Sequence, residues 1–100
     1  MNEQWVVAYE TPRITHYVSN TGKIKKVKST GKELPVKYHR SFRNVVVLTT
    51  GKHSGLADMV AKYFVPKPND LINKYTAIGF HDGNSNNCAA DNLYWYECMR

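Results

Sequence analysis

The chain has 100 residues, 42% of them apolar and 22% charged, enough for one domain with an adequate but not generous core. This composition excludes a fibrous or intrinsically disordered protein, and the formal net charge of +6 points toward a polyanionic partner. No apolar run approaches the ~20 residues of a membrane span, and Met1-Asn2-Glu3-Gln4 lacks the cationic and apolar stretches of a signal peptide, so a cytoplasmic protein with no membrane partner is expected.

In chain order, Trp5-Val6-Val7-Ala8-Tyr9 is a short apolar strand ended by Pro12, whose missing N–H suits an edge or a turn. His16 to Ser19 and Ile24 to Val27 flank Asn20-Thr21-Gly22, which predicts a hairpin because Asn and Gly tolerate positive φ. Ser29-Thr30-Gly31-Lys32 marks a second turn, and Glu33 to His39 a third strand with Pro35 near its start. Val45-Val46-Val47-Leu48 predicts a central strand buried on both faces.

After Thr49 to Gly55 the period changes. Leu56, Met59, Val60, Tyr63 and Phe64 fall on one face of a helix over 55–64, with Ser54 as N-cap and Pro66 and Pro68 as stops. Pro68 to Lys74 is a polar connection. Tyr75 to Ile78 and Leu93 to Tyr96 are short strands around an asparagine-rich loop, Asp82 to Asn87. The expected fold is small α+β: antiparallel hairpins on one amphipathic helix, followed by a two-stranded hairpin with no room for a further helix before Arg100.

Two features carry chemistry. Between Lys23 and Arg43 stand eight basic residues and one acidic residue, Glu33, against six basic and seven acidic in the rest of the chain. Lys23, Lys25, Lys26, Lys28, Lys32, Lys37, Arg40 and Arg43 are therefore the candidate nucleic-acid surface, because lysine and arginine bind phosphates and release condensed counterions. Strand alternation sends Lys25 and Lys26 to opposite faces, so the eight cannot all share one surface. Tyr38, Tyr94 and Tyr96 are candidates for stacking on bases, against the ordinary role of strand tyrosines as core or rim. The cysteines, Cys88 and Cys98, indicate no disulfide framework, and His53, His81, Cys88 and Cys98 match no familiar zinc-ligand spacing. Neither metal nor other cofactor is assigned.

The second feature is an ordered set of motifs. Trp5, the segment Tyr17-Val18-Ser19-Asn20-Thr21-Gly22-Lys23-Ile24, the stretch Met59 to Pro68, Asp82-Gly83-Asn84, Asn87 and Asn92-Leu93-Tyr94-Trp95 together cover nearly the whole chain. This set resembles the phage-type HNH homing endonucleases with a NUMOD4-like N-terminal segment, within the ββα-metal (His-Me finger) superfamily. The resemblance implies a basic, NUMOD4-like β segment over 1–53, an HNH-like segment over 54–100, and a phage or mobile-element origin. It also implies DNA as partner and metal-dependent strand cutting by the intact family.

The chain departs from that family where the cutting would occur. The family reads Asn-His-x-Asp-Gly-Asn, its His activating water and the adjacent residue binding metal. Anchored on Asp82-Gly83-Asn84, Phe80 stands at the His position and Gly79 at the ligand position, while His81 is one residue out of register. Ala57 stands where the family has a helix His, and the helix expected after Asn92-Leu93-Tyr94-Trp95 has no chain to form it. Phe80, His81, Asp82, Asn84 and Asn92 are thus read as remnant site positions with no catalytic residue among them. The expected function is a catalytically inactive nucleic-acid-binding protein, DNA before RNA. The alternatives are an inhibitor or adaptor meeting an acidic protein partner, and an active metal-dependent nuclease.

Overall fold

The computed structural model describes residues 2–41, 44–48 and 51–98, which form a small α+β fold of antiparallel sheets around a single helix. β1 (Trp5–Glu10), β2 (Ile14–Ser19), β3 (Ile24–Lys28) and β4 (Glu33–Leu34) make a four-stranded meander in chain order. The β1–β2 ladder shifts register at a bulge between Val7 and Tyr9. Gly22 (φ 87°) and Gly31 (φ 92°) close the turns after β2 and β3, as the Asn-x-Gly and Thr-Gly signals predict.

Pro35 divides the expected third strand. Glu33–Leu34 pairs with β3, whereas β5 (Lys37–Tyr38) leaves for a second sheet with β6 (Val45–Val47) and β7 (His53–Gly55). A proline cannot donate to a ladder, so the chain changes sheets there. β6 is central, as expected, but only Val46 is fully buried while Val45 and Val47 are partly exposed. One covered face replaces the predicted two.

The helix, α1 (Leu56–Phe64), turns Leu56, Met59, Val60 and Ala61 inward. Ser54 does not cap it: it lies in β7 opposite Val46, and Gly55 holds the N-cap position. The first helical amide is satisfied instead by tertiary structure, Leu56 N donating to the Asn44 carbonyl at 2.8 Å. Tyr63, expected on the buried face, is exposed and donates its hydroxyl to the Ala8 carbonyl at 3.3 Å.

A 3₁₀ turn at Asn69–Leu71 leads to β8 (Thr76–Phe80), which pairs with β9 (Leu93–Glu97). Trp95 Nε1 donates to the Val65 carbonyl at 2.9 Å and pins this hairpin to the end of α1. The core runs through every layer: Val18 from the first sheet, Val46 from the second, Leu56 and Val60 from the helix, Cys88 and Leu93 from the C-terminal part. The expected division between residues 53 and 54 falls inside β7. Each large apolar side chain so buried contributes about 1.5–3 kcal/mol. Among the described residues no helix is long and apolar enough to cross a membrane.

His16 is an anomaly within this core. It is 0% exposed, and neither Nδ1 nor Nε2 has a hydrogen-bond partner among the described residues. Burial first, and Lys26 across the ladder second, hold its pKa below the usual histidine value. The unfolded chain therefore takes up this proton before the folded one does as pH falls through about 6.5. Folding stability contributed by the neutral ring is present above that pH and declines below it, until folded His16 itself protonates. His16→Leu, which removes an unsatisfied buried polar group at similar volume, is expected to stabilise the fold by about 1 kcal/mol. Melting curves at pH 7.5 and 5.5 should show a smaller acid-induced drop in Tm for the variant; an equal drop in both proteins refutes the assignment.

Candidate functional site

The asparagine loop is held by its own side chains. Asp82 Oδ1 accepts from Asn84 N at 2.8 Å and Asn92 Nδ2 at 3.0 Å, and Oδ2 accepts from Asn87 Nδ2 at 3.0 Å. These bonds, Asn87's first, hold the Asp82 carboxyl below its ordinary pKa. Asn92 is buried: its Nδ2 also donates to the Asn87 carbonyl at 2.9 Å, while its Oδ1 accepts from Asp82 N at 3.1 Å. Asn84 Oδ1 accepts from Asn86 N at 3.0 Å, and Gly83 adopts φ 72°. Short amide and carboxylate side chains thus replace a regular ladder by bonding nearby backbone.

Strand alternation separates the neighbouring residues. Phe80 is opposite the buried Leu93 and packs against the core. Gly79 is opposite Tyr94, on the outer face. His81 is exposed and lies against the Tyr94 ring, with centroids 4.7 Å apart and planes tilted by 35°; Tyr96 continues the row at 6.0 Å from Tyr94. A Cβ built on Gly79 would clash with the Cζ and hydroxyl of Tyr94, so the outer face at Gly79 is already occupied. Ala57 on α1 is partly buried and borders the same region as Phe80 and Cys88.

The candidate zinc set does not converge. His53 packs edge-on against His39 at 4.7 Å, and His81 lies against Tyr94. Among the described residues no group of three or more His, Cys, Asp or Glu is placed to hold a metal ion. Burial pushes the Cys88 thiol pKa up, which makes it a poor nucleophile.

The basic residues divide among several places. Lys23 and Lys25 share one face of the first sheet with Trp5 and Tyr17: Lys25 Nζ lies 4.4 Å from the Trp5 ring centroid and 5.4 Å from that of Tyr17. Lys26 lies in register with His16, on the other face. Lys28 borders a separate groove of about 680 Å³ with Arg13, Lys32 is exposed beyond the Gly31 turn, and Lys37 and Arg40 belong to the β5 region. Arg43 lies outside the described residues.

Two contributions were not legible in the sequence, the pairing of Trp5 with Lys25 and the role of Asn44. Trp5 meets Lys25 only through the β1–β2–β3 register. Asn44, a non-glycine residue at φ 57°, ties the second sheet to the asparagine loop, its Nδ2 donating to the Ser85 carbonyl at 2.9 Å and to Asn86 Oδ1 at 3.3 Å. The signal for Asn44 is its tolerance of the left-handed region; nothing local in the sequence marks the Trp5–Lys25 contact.

No protein-family model matches the chain, and no curated protein matches it. A solved structure of the HNH homing endonuclease I-HmuI, a protein that binds and cleaves DNA, is similar to it, with a TM-score of 0.63 and 22% sequence identity. The similarity covers 94% of this chain and 52% of that one, so the chain spans about half the length of that endonuclease. The fold is HNH-like.

Proposed function

We propose that the chain is a nucleic-acid-binding module, directed to DNA before RNA, that keeps an HNH-like scaffold and binds without cutting. The observation that carries the second half is the separation of Phe80 from His81. By the motif resemblance Phe80 takes the place of the family's water-activating imidazole; its ring packs against the core, while the neighbouring imidazole of His81 lies against Tyr94. A general base must reach the water it activates, and His81 points to the wrong side of the strand.

The residues present also do not fit the divalent metal that the family implies. Gly79 offers no ligand and Tyr94 fills the space a ligand side chain would need. Both Asp82 oxygens are already used to brace the loop. Binding is supported by the basic first sheet, with Lys23 and Lys25 on one face, and by the likeness to a DNA-binding fold.

Affinity for duplex DNA is expected to fall linearly in log–log form with salt, by roughly 0.9 in slope per phosphate contact. In the same protein, Mg²⁺ or Mn²⁺ is expected to yield no nicked plasmid. Metal-dependent nicking that disappears in His81→Ala would overturn the non-cutting half. Absence of binding to both duplex and single-stranded DNA at low salt would overturn the other half, and would favour an acidic protein as the partner of these lysines.

A further inference from the structure

A cleft of about 560 Å³ lies where the first sheet, the second sheet and the asparagine loop meet. Its volume falls in the roughly 300–1,000 Å³ range of small-molecule sites. Trp5 and Tyr38 supply aromatic walls from different sheets, Lys23 and Lys25 supply cations, and Asn44 and Asn86 supply amides. We infer that this cleft takes a single unpaired nucleotide, its base on the Trp5 ring and its phosphate on Lys23 and Lys25. The inference rests on the nucleic-acid reading above and names the part of the ligand that this site would recognise.

Trp5 already holds a cation on its ring. Lys25 Nζ sits 4.4 Å from its ring centroid, a cation on an electron-rich face in a partly solvated position. A nucleotide satisfies both partners at once: the base replaces the ammonium on the indole, and the ammonium moves to the phosphate. Lys23 is also available to an anion. Its ion pair with Glu3 is 3.7 Å long, and its side chain is 69% exposed, so the pair is weak. Tyr38 is 46% exposed and belongs to β5, and it lines the same cleft as the lysines.

A base inside a duplex has both faces covered by its stacked neighbours, whereas an unpaired base presents a free face that any aromatic ring can cover. Aromatic walls beside cations therefore select single-stranded over double-stranded nucleic acid. Glu33 is the acidic residue in the lining. A carboxylate accepts from the exocyclic amine of cytosine, which favours a cytosine over a thymine strand. Asn44, tied to Ser85 and Asn86, holds the far wall in place.

The test uses a labelled DNA strand of about ten nucleotides, within the span that single-strand-binding grooves cover, and the same strand annealed to its complement. Trp5→Ala is expected to weaken single-strand binding by about tenfold, with Trp5→Phe restoring it to within about twofold. Tyr38→Ala, at an exposed position that does not endanger folding, should weaken it several-fold. Duplex affinity should change by less than about twofold in all three. In a Trp95→Phe background, where emission comes from Trp5 alone, the single strand should quench fluorescence and the duplex should not. Equal loss for both DNA forms in Trp5→Ala and Tyr38→Ala, or failure of phenylalanine to rescue, overturns the cleft assignment. Salt-sensitive duplex binding without single-strand quenching does the same while leaving the nucleic-acid reading intact. If neither DNA form binds, both fail together. An RNA strand of equal sequence distinguishes the source of the nucleotide: comparable affinity assigns the cleft to either polymer, a DNA preference to DNA.

Discussion

Gly22→Ala is expected to destabilise the protein by about 3 kcal/mol or more, a large part of the roughly 5–15 kcal/mol that a domain of this size possesses. Two costs combine. The residue sits at φ 87°, where an L side chain costs about 1–2 kcal/mol. A Cβ there would also lie 2.6 Å from Cys88 C, 2.7 Å from Ala89 N and 2.9 Å from Cys88 O, all backbone atoms that cannot rotate away. Overpacking of that kind costs about 1–3 kcal/mol. The turn cannot back off easily, because Asn20 is fastened on both sides. Its carbonyl accepts from Ala90 N at 2.8 Å, while its side chain accepts from Gln4 N at 2.8 Å and donates to the Asn2 carbonyl at 3.0 Å. Gly31→Ala is the internal control. It has the same handedness, φ 92°, but a Cβ there meets nothing within 4 Å, so only the conformational part should be lost. Urea unfolding of the two variants should give midpoints that differ by about 2 kcal/mol in free energy; equal midpoints would show that the turn does not press on the Cys88–Ala89 backbone.

Reversing Lys23 and Lys25 together to glutamate is expected to lower duplex DNA affinity on the order of a hundredfold at low salt, and to reduce the salt slope by about 2. Lys23, whose carbonyl accepts from Ser19 N just before β3, and Lys25 within β3 stand at alternate positions and line the same cleft. Lys26→Glu, next to Lys25 in sequence but in register with His16 on the other face, is expected to change affinity by less than about threefold. Net charge alone would make one reversal cost about half of two. A titration in which Lys26→Glu weakens binding as much as either neighbour would replace the directed surface by a diffuse electrostatic one.

The elements that the sequence made legible are those whose signal is local. The 3.6-residue spacing of Leu56, Met59, Val60 and Phe64 located α1 within one residue of its start, and Asn20-Thr21-Gly22 located the β2–β3 hairpin. β7 was not legible. His53-Ser54-Gly55 has neither β-branched residues nor alternation, and is a strand because Val45–Val47 offers it a ladder. That pairing is also why Ser54 never reaches a capping position. In the loop, Asp82-Gly83-Asn84 advertised a turn, and the short side chains brace it as their chemistry suggests. The Trp5–Lys25 contact was beyond reach, since twenty residues of sequence and two strand registers separate the partners.

The irregularities of the four-stranded sheet bear on how the protein survives at high concentration. Its outer strands are β1 and β4. An open strand edge is a template on which another molecule can add its own backbone, the first step toward aggregation. On one side, the register shift between Val7 and Tyr9 interrupts the row of parallel donors and acceptors that such a template requires. On the other, only Glu33 and Leu34 are offered before Pro35, which has no amide to give. Both margins are thereby made poor nuclei for intermolecular growth, so a crowded, positively charged surface can be presented without inviting the sheets of neighbouring molecules to join.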